Sequence, residues 1–155
     1  MKNKLLKALI VLIAVLGTLL GENLYNSSKQ SAEMEQYRIY MNKKYIPLVN
    51  KTNTHLDDAQ NAQFINSWYD LGFFDNMELI GEWEEIEKDL LNMDAKYENS
   101  IALKKNLINS TLTYQDSLGS IDLYAPEKDD SIFRFSLEIH NKQIENLYKE
   151  MKTIL

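Results

Sequence analysis

The chain has no cysteine among its 155 residues, which excludes disulfides, thiolate metal sites, cysteine nucleophiles and an acylated lipoprotein anchor. Glycine (5) and proline (2) are scarce, which disfavours turn-rich sandwiches and barrels and favours long helices. Basic side chains are outnumbered, 17 against 23 acids. Residues 1–21 hold Lys2, Lys4 and Lys7 and no acid, so residues 22–155 carry 14 basic and 23 acidic groups, a net of -9. Such a surface argues against nucleic acid, whose binding depends on basic groups displacing counterions from phosphate. It also disfavours adsorption to anionic lipid headgroups outside the basic N-terminus.

Motifs that carry chemistry are missing too. There is no Gly-x-Ser-x-Gly elbow, no glycine-rich phosphate loop and no His-Glu-x-x-His. The paired Glu-x-x-His of ferritin-like di-iron proteins does not occur. No enzyme, cofactor or metal is expected.

What is present begins at the N-terminus. An uncharged, mostly apolar run, Ala8–Leu20, follows the three lysines. Counted from Leu5 to Leu24, with Lys7 snorkelling, it is about the twenty residues that span a bilayer. No Ala-x-Ala triplet follows, so the reading is an uncleaved signal anchor over 1–24; a cleaved signal and a secreted protein are the alternative. The lysine flank and Glu22 predict a single-pass protein with its N-terminus in the cytoplasm and the remainder outside.

A polar link over 25–31 leads into an extracytoplasmic domain over 32–155. Met34, Tyr37, Met41, Tyr45, Leu48, Thr52, Leu56, Ala59 and Ala62 recur at three- and four-residue steps, one face of a helix. Pro47 removes a backbone donor but leaves the pattern in phase, which predicts a kink. Gly72 is read as the stop. The second helix is predicted to start at Asp75, with Glu78 completing a capping box and Phe74 stapled onto Leu79. Its expected apolar face is Ile80, Trp83, Ile86, Leu90, Met93, Tyr97, Ile101, Ile108 and Leu112, with Gly119 ending it. A loop to Asp130 precedes the most regular pattern, the four-three repeat Phe133, Leu137, His140, Ile144, Leu147, Met151 and Ile154.

The expected fold is therefore all-α: a membrane helix followed by an antiparallel bundle of three long helices, reaching ~60 Å where helices run ~40 residues. The repeat on the last helix is a candidate seam for a second copy or another protein. Trp68, Tyr69, Phe73, Phe74 and Trp83 cluster at the predicted first turn, the tip farthest from the membrane, and are candidate partner-binding residues. His140 is read as a seam histidine. His55 with Asp57 and Asp58, and the acids of Glu82–Asp89, are read as solvated helix faces. The sequons at Asn26, Asn50 and Asn109 are attributed to chance.

Residues 1–65 combine the basic N-terminus, one membrane helix and a polar link with Tyr45-Ile-Pro-Leu-Val49 and Asn53-Thr-His-Leu-Asp57. In this they resemble the start of the four-helix-bundle sensor modules of bacterial chemoreceptors. The chain departs from that family in having no second membrane segment, linker module or signalling region. The resemblance implies a ligand- or partner-binding bundle without its output half. The functional expectation is a membrane-anchored bundle acting by protein–protein contact, as an accessory or oligomeric subunit. A small-ligand sensor with a pocket near Pro47 and Tyr97 is the alternative.

Overall fold

A computed structural model of the chain describes residues 24–61, 65–124 and 130–154. The membrane-anchor reading of 1–24 falls almost entirely outside them, and among the described residues no helix is long and apolar enough to cross a membrane. All the described elements are helical. Among the described residues there are four helices, where the sequence predicts a bundle of three after the membrane helix.

Helix α1 covers residues 24–61 without a break, so the supposed polar link over 25–31 is already helix. Its periodic face is the buried one: Met34, Tyr37, Met41, Tyr45, Leu48, Thr52, Leu56 and Ala59 all lie in the interior. Pro47 is accommodated by a π-helical turn over Met41–Tyr45. In a regular α-helix the proline ring would meet the carbonyl of Lys43 and offer it no donor. The widened turn, in which the Ile46 N–H donates to Met41 O, lets the helix continue past it.

Helix α2 spans Ile65–Asn92 and runs straight through the predicted turn. Gly72 is a buried residue within it, and Asp75 caps nothing at a helix start. Glu78 pairs with Lys51 of α1 at 2.9 Å, and Phe74 is 83% exposed and staples nothing onto the buried Leu79. The chain reverses instead at residues 93–97, inside the expected second helix.

That turn is built by contacts from far along the chain. The Glu33 carboxylate of α1 accepts the Lys96 N–H at 2.8 Å and the Ser100 hydroxyl. Ser100 Oγ also accepts the Tyr97 N–H at 3.2 Å, half of a capping box. Tyr37 donates to Asp94 O at 3.1 Å, and Lys104 Nζ donates to Leu91 O and Met93 O, closing the end of α2.

Helix α3 spans Glu98–Tyr124, passing through Gly119 without stopping. Its buried face is Leu103, Leu107, Ser110, Thr111, Tyr114, Ser117, Leu118 and Ile121, not the predicted one; Ile101 and Leu112 are exposed. The buried hydroxyls satisfy themselves on preceding carbonyls: Thr111 on Leu107, Thr113 on Asn109, Ser117 on Thr113. A helix can therefore bury a face that reads as polar.

Helix α4 spans Asp130–Ile154. Ile144 and Met151 of its repeat belong to the chain's own core, and Ile154 packs against that core. The proposed oligomer seam is in this respect an internal one.

Candidate functional site

Each helix contributes one large aromatic residue to the centre of the bundle. Trp83 of α2 stacks on Tyr114 of α3, with centroids 4.6 Å apart and planes 9° apart. Tyr45 of α1 meets Trp83 edge-on at 5.5 Å. Tyr148 of α4 completes the set, its hydroxyl 3.2 Å from that of Tyr114. Offset-stacked and edge-to-face pairs are the arrangements that aromatic quadrupoles favour.

The polar atoms in this cluster are accounted for. Trp83 Nε1–H donates to Thr52 Oγ1 at 2.8 Å, and the Tyr45 hydroxyl bonds the Ser110 hydroxyl. Burial pushes the Tyr45, Tyr114 and Tyr148 hydroxyls upward in pKa, so all three stay protonated at neutral pH. They can donate and accept hydrogen bonds but cannot serve as general bases there.

Beside this cluster a groove of about 410 Å³ opens between α1 and α4. Met41, Ile46, Val49 and Met151 form its apolar wall, with Tyr45 and Tyr148 at its inner edge and Asn50 and Asn53 as its amide groups. No lining residue is charged. The π turn places Met41 and Tyr45, four residues apart, both toward the interior at one end of the groove. Such a lining suits an uncharged molecule with an apolar body and a hydrogen-bonding group.

A second cleft, of about 340 Å³, lies between α1 and α2 and is polar. Lys51, Thr54, His55, Asp58, Asp75 and Glu78 line it. His55 Nε2 sits 3.2 Å from Asn76 Oδ1, and the fully buried Asn76 donates from Nδ2 to Leu118 O at 3.2 Å, tying three helices together. Burial lowers the pKa of His55, opposed by the Asn76 contact and by Asp75 and Asp58. Lys51 Nζ bridges Glu78 and Glu82, both at 2.9 Å. Among the described residues no three histidines or acids converge to hold a metal ion.

The predicted partner residues do not form one exposed tip. Trp83 is fully buried at the bundle centre. Phe73 is half-buried and meets the exposed Phe74 edge-on at 5.6 Å, both within α2 rather than at a turn. Trp68 and Tyr69 lie in α2, their side chains outside the described residues.

In the α4 repeat, Leu147 is half-buried, and the side chains of Phe133 and Leu137 are outside the described residues. His140 is also half-buried; its Nδ1 has no hydrogen-bond partner among the described residues, and burial lowers its pKa against the pull of Asp116.

Of the acidic run, Glu82 pairs with Lys51, Asp89 with Lys44 at 2.7 Å, and Glu87 accepts from Gln115. Sequence reasoning missed Tyr114 and Tyr148. The available signal was one large aromatic per amphipathic segment, and only Tyr45 and Trp83 stand on a strict periodic face.

No protein-family model, curated protein or solved structure matches this chain.

Proposed function

We propose that this chain is a binding module rather than an enzyme, a helical bundle held outside the cytoplasm by its N-terminal segment and taking an uncharged, largely apolar small ligand in the α1–α4 groove. The observation that carries the reading is the groove itself, about 410 Å³ with no charged lining residue and with Tyr45 and Tyr148 among the residues that line it. Its volume falls in the range of small-molecule sites. It adjoins Pro47, where the sequence places a ligand pocket, though not Tyr97. A ligand-binding bundle is also what the resemblance of residues 1–65 to chemoreceptor sensor modules implies.

Trp83, whose ring lies 5.5 Å from that of Tyr45, makes the test direct. In a chain beginning at residue 24, Trp68→Phe leaves Trp83 as the only indole. Titration with 4-phenylbutanol is expected to change Trp83 emission saturably, and 4-phenylbutyrate to do so far more weakly. Ile46→Phe, at a half-exposed lining position, is expected to abolish the response while leaving helicity unchanged. An emission that stays flat up to the solubility of the alcohol defeats the reading.

The protein–protein reading keeps a place because large apolar side chains remain exposed outside the groove. Ile132, Phe135 and Ile139 line one face of α4, and Met77, Leu91, Ile101 and Leu112 lie on α2 and α3.

A further inference from the structure

The outer face of the α2–α3 hairpin carries two stripes at helical spacing. On α2 they are Met77, Gly81, Glu84, Lys88 and Leu91; on α3, Ile101, Lys105, Ile108, Leu112 and Gly119. Met77, Leu91, Ile101 and Leu112 are among the most exposed large apolar residues. A helix apolar on both faces is normally covered on both. Helix α3 is such a helix, its inner face buried in the core and its outer face open.

The two glycines give the face its shape. A Cβ added at Gly81 or at Gly119 would meet nothing within 4 Å. Neither is a helix end, and within this chain neither is needed for close approach, although glycine inside a helix costs conformational entropy. They also stand at similar heights along the bundle. Asn76 bonds Leu118 and Gln115 bonds Glu87, which places Gly81 within a turn of Gly119 on the neighbouring helix.

We propose that this face joins two copies of the chain standing parallel, α2 of each against α3 of the other, so that Gly81 of one copy meets Gly119 of the second. The proposal develops the protein–protein reading above and is independent of the groove. A two-fold axis along the helices keeps every residue at its height and exchanges α2 with α3. Each glycine then faces a glycine, and Leu91 faces Ile101 and Ile108 of the second copy. An axis across the helices at the glycines' height would leave Ile101 bare, because α3 runs only to Tyr124 beyond Gly119.

Charge favours a self-contact here. The chain carries a net charge of -6, yet the stripes themselves hold the single acid Glu84 against Lys88 and Lys105, with Glu85, Glu98 and Asp116 at their margins. The size also suffices. The stripes, Met77 to Leu91 and Ile101 to Gly119, are ~21 and ~27 Å long, and two helices side by side are ~20 Å wide, giving ~500 Å² per copy and ~1,000 Å² in all, the least that a specific interface needs.

The chain has no cysteine, so introduced thiols report without background. The full chain is co-expressed in membranes as two differently tagged copies, one Leu91→Cys and one Ile108→Cys, and oxidised. A mixed disulfide dimer is expected, and adding Gly119→Leu to both copies is expected to reduce it at least tenfold with helicity unchanged. Absence of the mixed dimer overturns the proposal, as do crosslinking indifferent to Gly119→Leu, thiols trapped by a different protein, or dimers formed only through Phe135→Cys on α4. None of these outcomes alters the Trp83 titration, so the two readings fail separately.

Discussion

A carboxylate buried inside a helical bundle is ordinarily a liability, and Glu33 becomes useful because of what surrounds it. Burial alone would raise its pKa, but the Ser100 hydroxyl and the Lys96 and Tyr97 N–H groups hold it below the usual 4.5. The charge also faces the positive end of the α3 dipole. A depressed folded-state pKa means that the contribution to stability is complete above the unfolded value, near 4.5, and is lost as pH falls through the lower folded value.

Glu33→Gln is therefore expected to cost about 1–2 kcal/mol at pH 7. It should cost progressively less below pH 4.5, measured as urea unfolding across that range. Equal costs at pH 7 and pH 3 would show that the carboxylate charge contributes nothing. None of this was legible locally, because Glu33 and Ser100 lie 67 residues apart in sequence. Thr52 is the contrasting residue: its place on the periodic face predicts the buried position where it accepts from Trp83.

At the scale of elements, the sequence reads well where apolar residues alone define the buried face. The face of α1 is correct through Ala59, and Ile86 and Leu90 of α2 are buried as expected. It misleads where a punctuation residue is silenced or a polar residue is self-satisfied. Gly72 and Asp75 resemble a stop and a start, yet α2 passes through both. The true turn at 93–97 carries no glycine or proline and depends on Glu33, Tyr37 and Lys104. In α3 the buried serines and threonines bond to the preceding turn, so the apolar stripe visible in the sequence is the outer one.

The exposed glycines give a prediction at this scale. Gly81→Ala and Gly119→Ala each place a methyl group in open space while restricting the unfolded chain. Each should stabilise an isolated bundle by about 0.5–1 kcal/mol, read as a rise in melting temperature at low protein concentration. A fall in melting temperature there would mean that the two positions are crowded.

At the scale of the whole molecule, the bundle is closed by pairing on three sides and open on the fourth. Glu33, Tyr40 and Lys44 tie α1 to α2 and the turn after it, Asn76 and Gln115 bond between α2 and α3, and Ser120 and Ser136 bond between α3 and α4. Between α1 and α4 lies the groove, bounded by Tyr148 and Met151. The core so enclosed runs from Met34 to Met151 and draws on all four helices. That core is drawn from residues within 24–154, so a chain holding only these residues contains it.

A chain beginning at residue 24 is accordingly expected to keep its helicity and to unfold in one transition, with a melting temperature within a few degrees of the full chain. Only the full chain should sediment with membranes. Loss of helicity on truncation would make the N-terminal segment part of the fold, and a truncated chain still bound to membranes would move the anchor into the bundle. Retained folding with lost sedimentation would assign the two ends of the chain separate tasks: the basic, apolar N-terminus holding the protein to the bilayer, and the four helices presenting the groove.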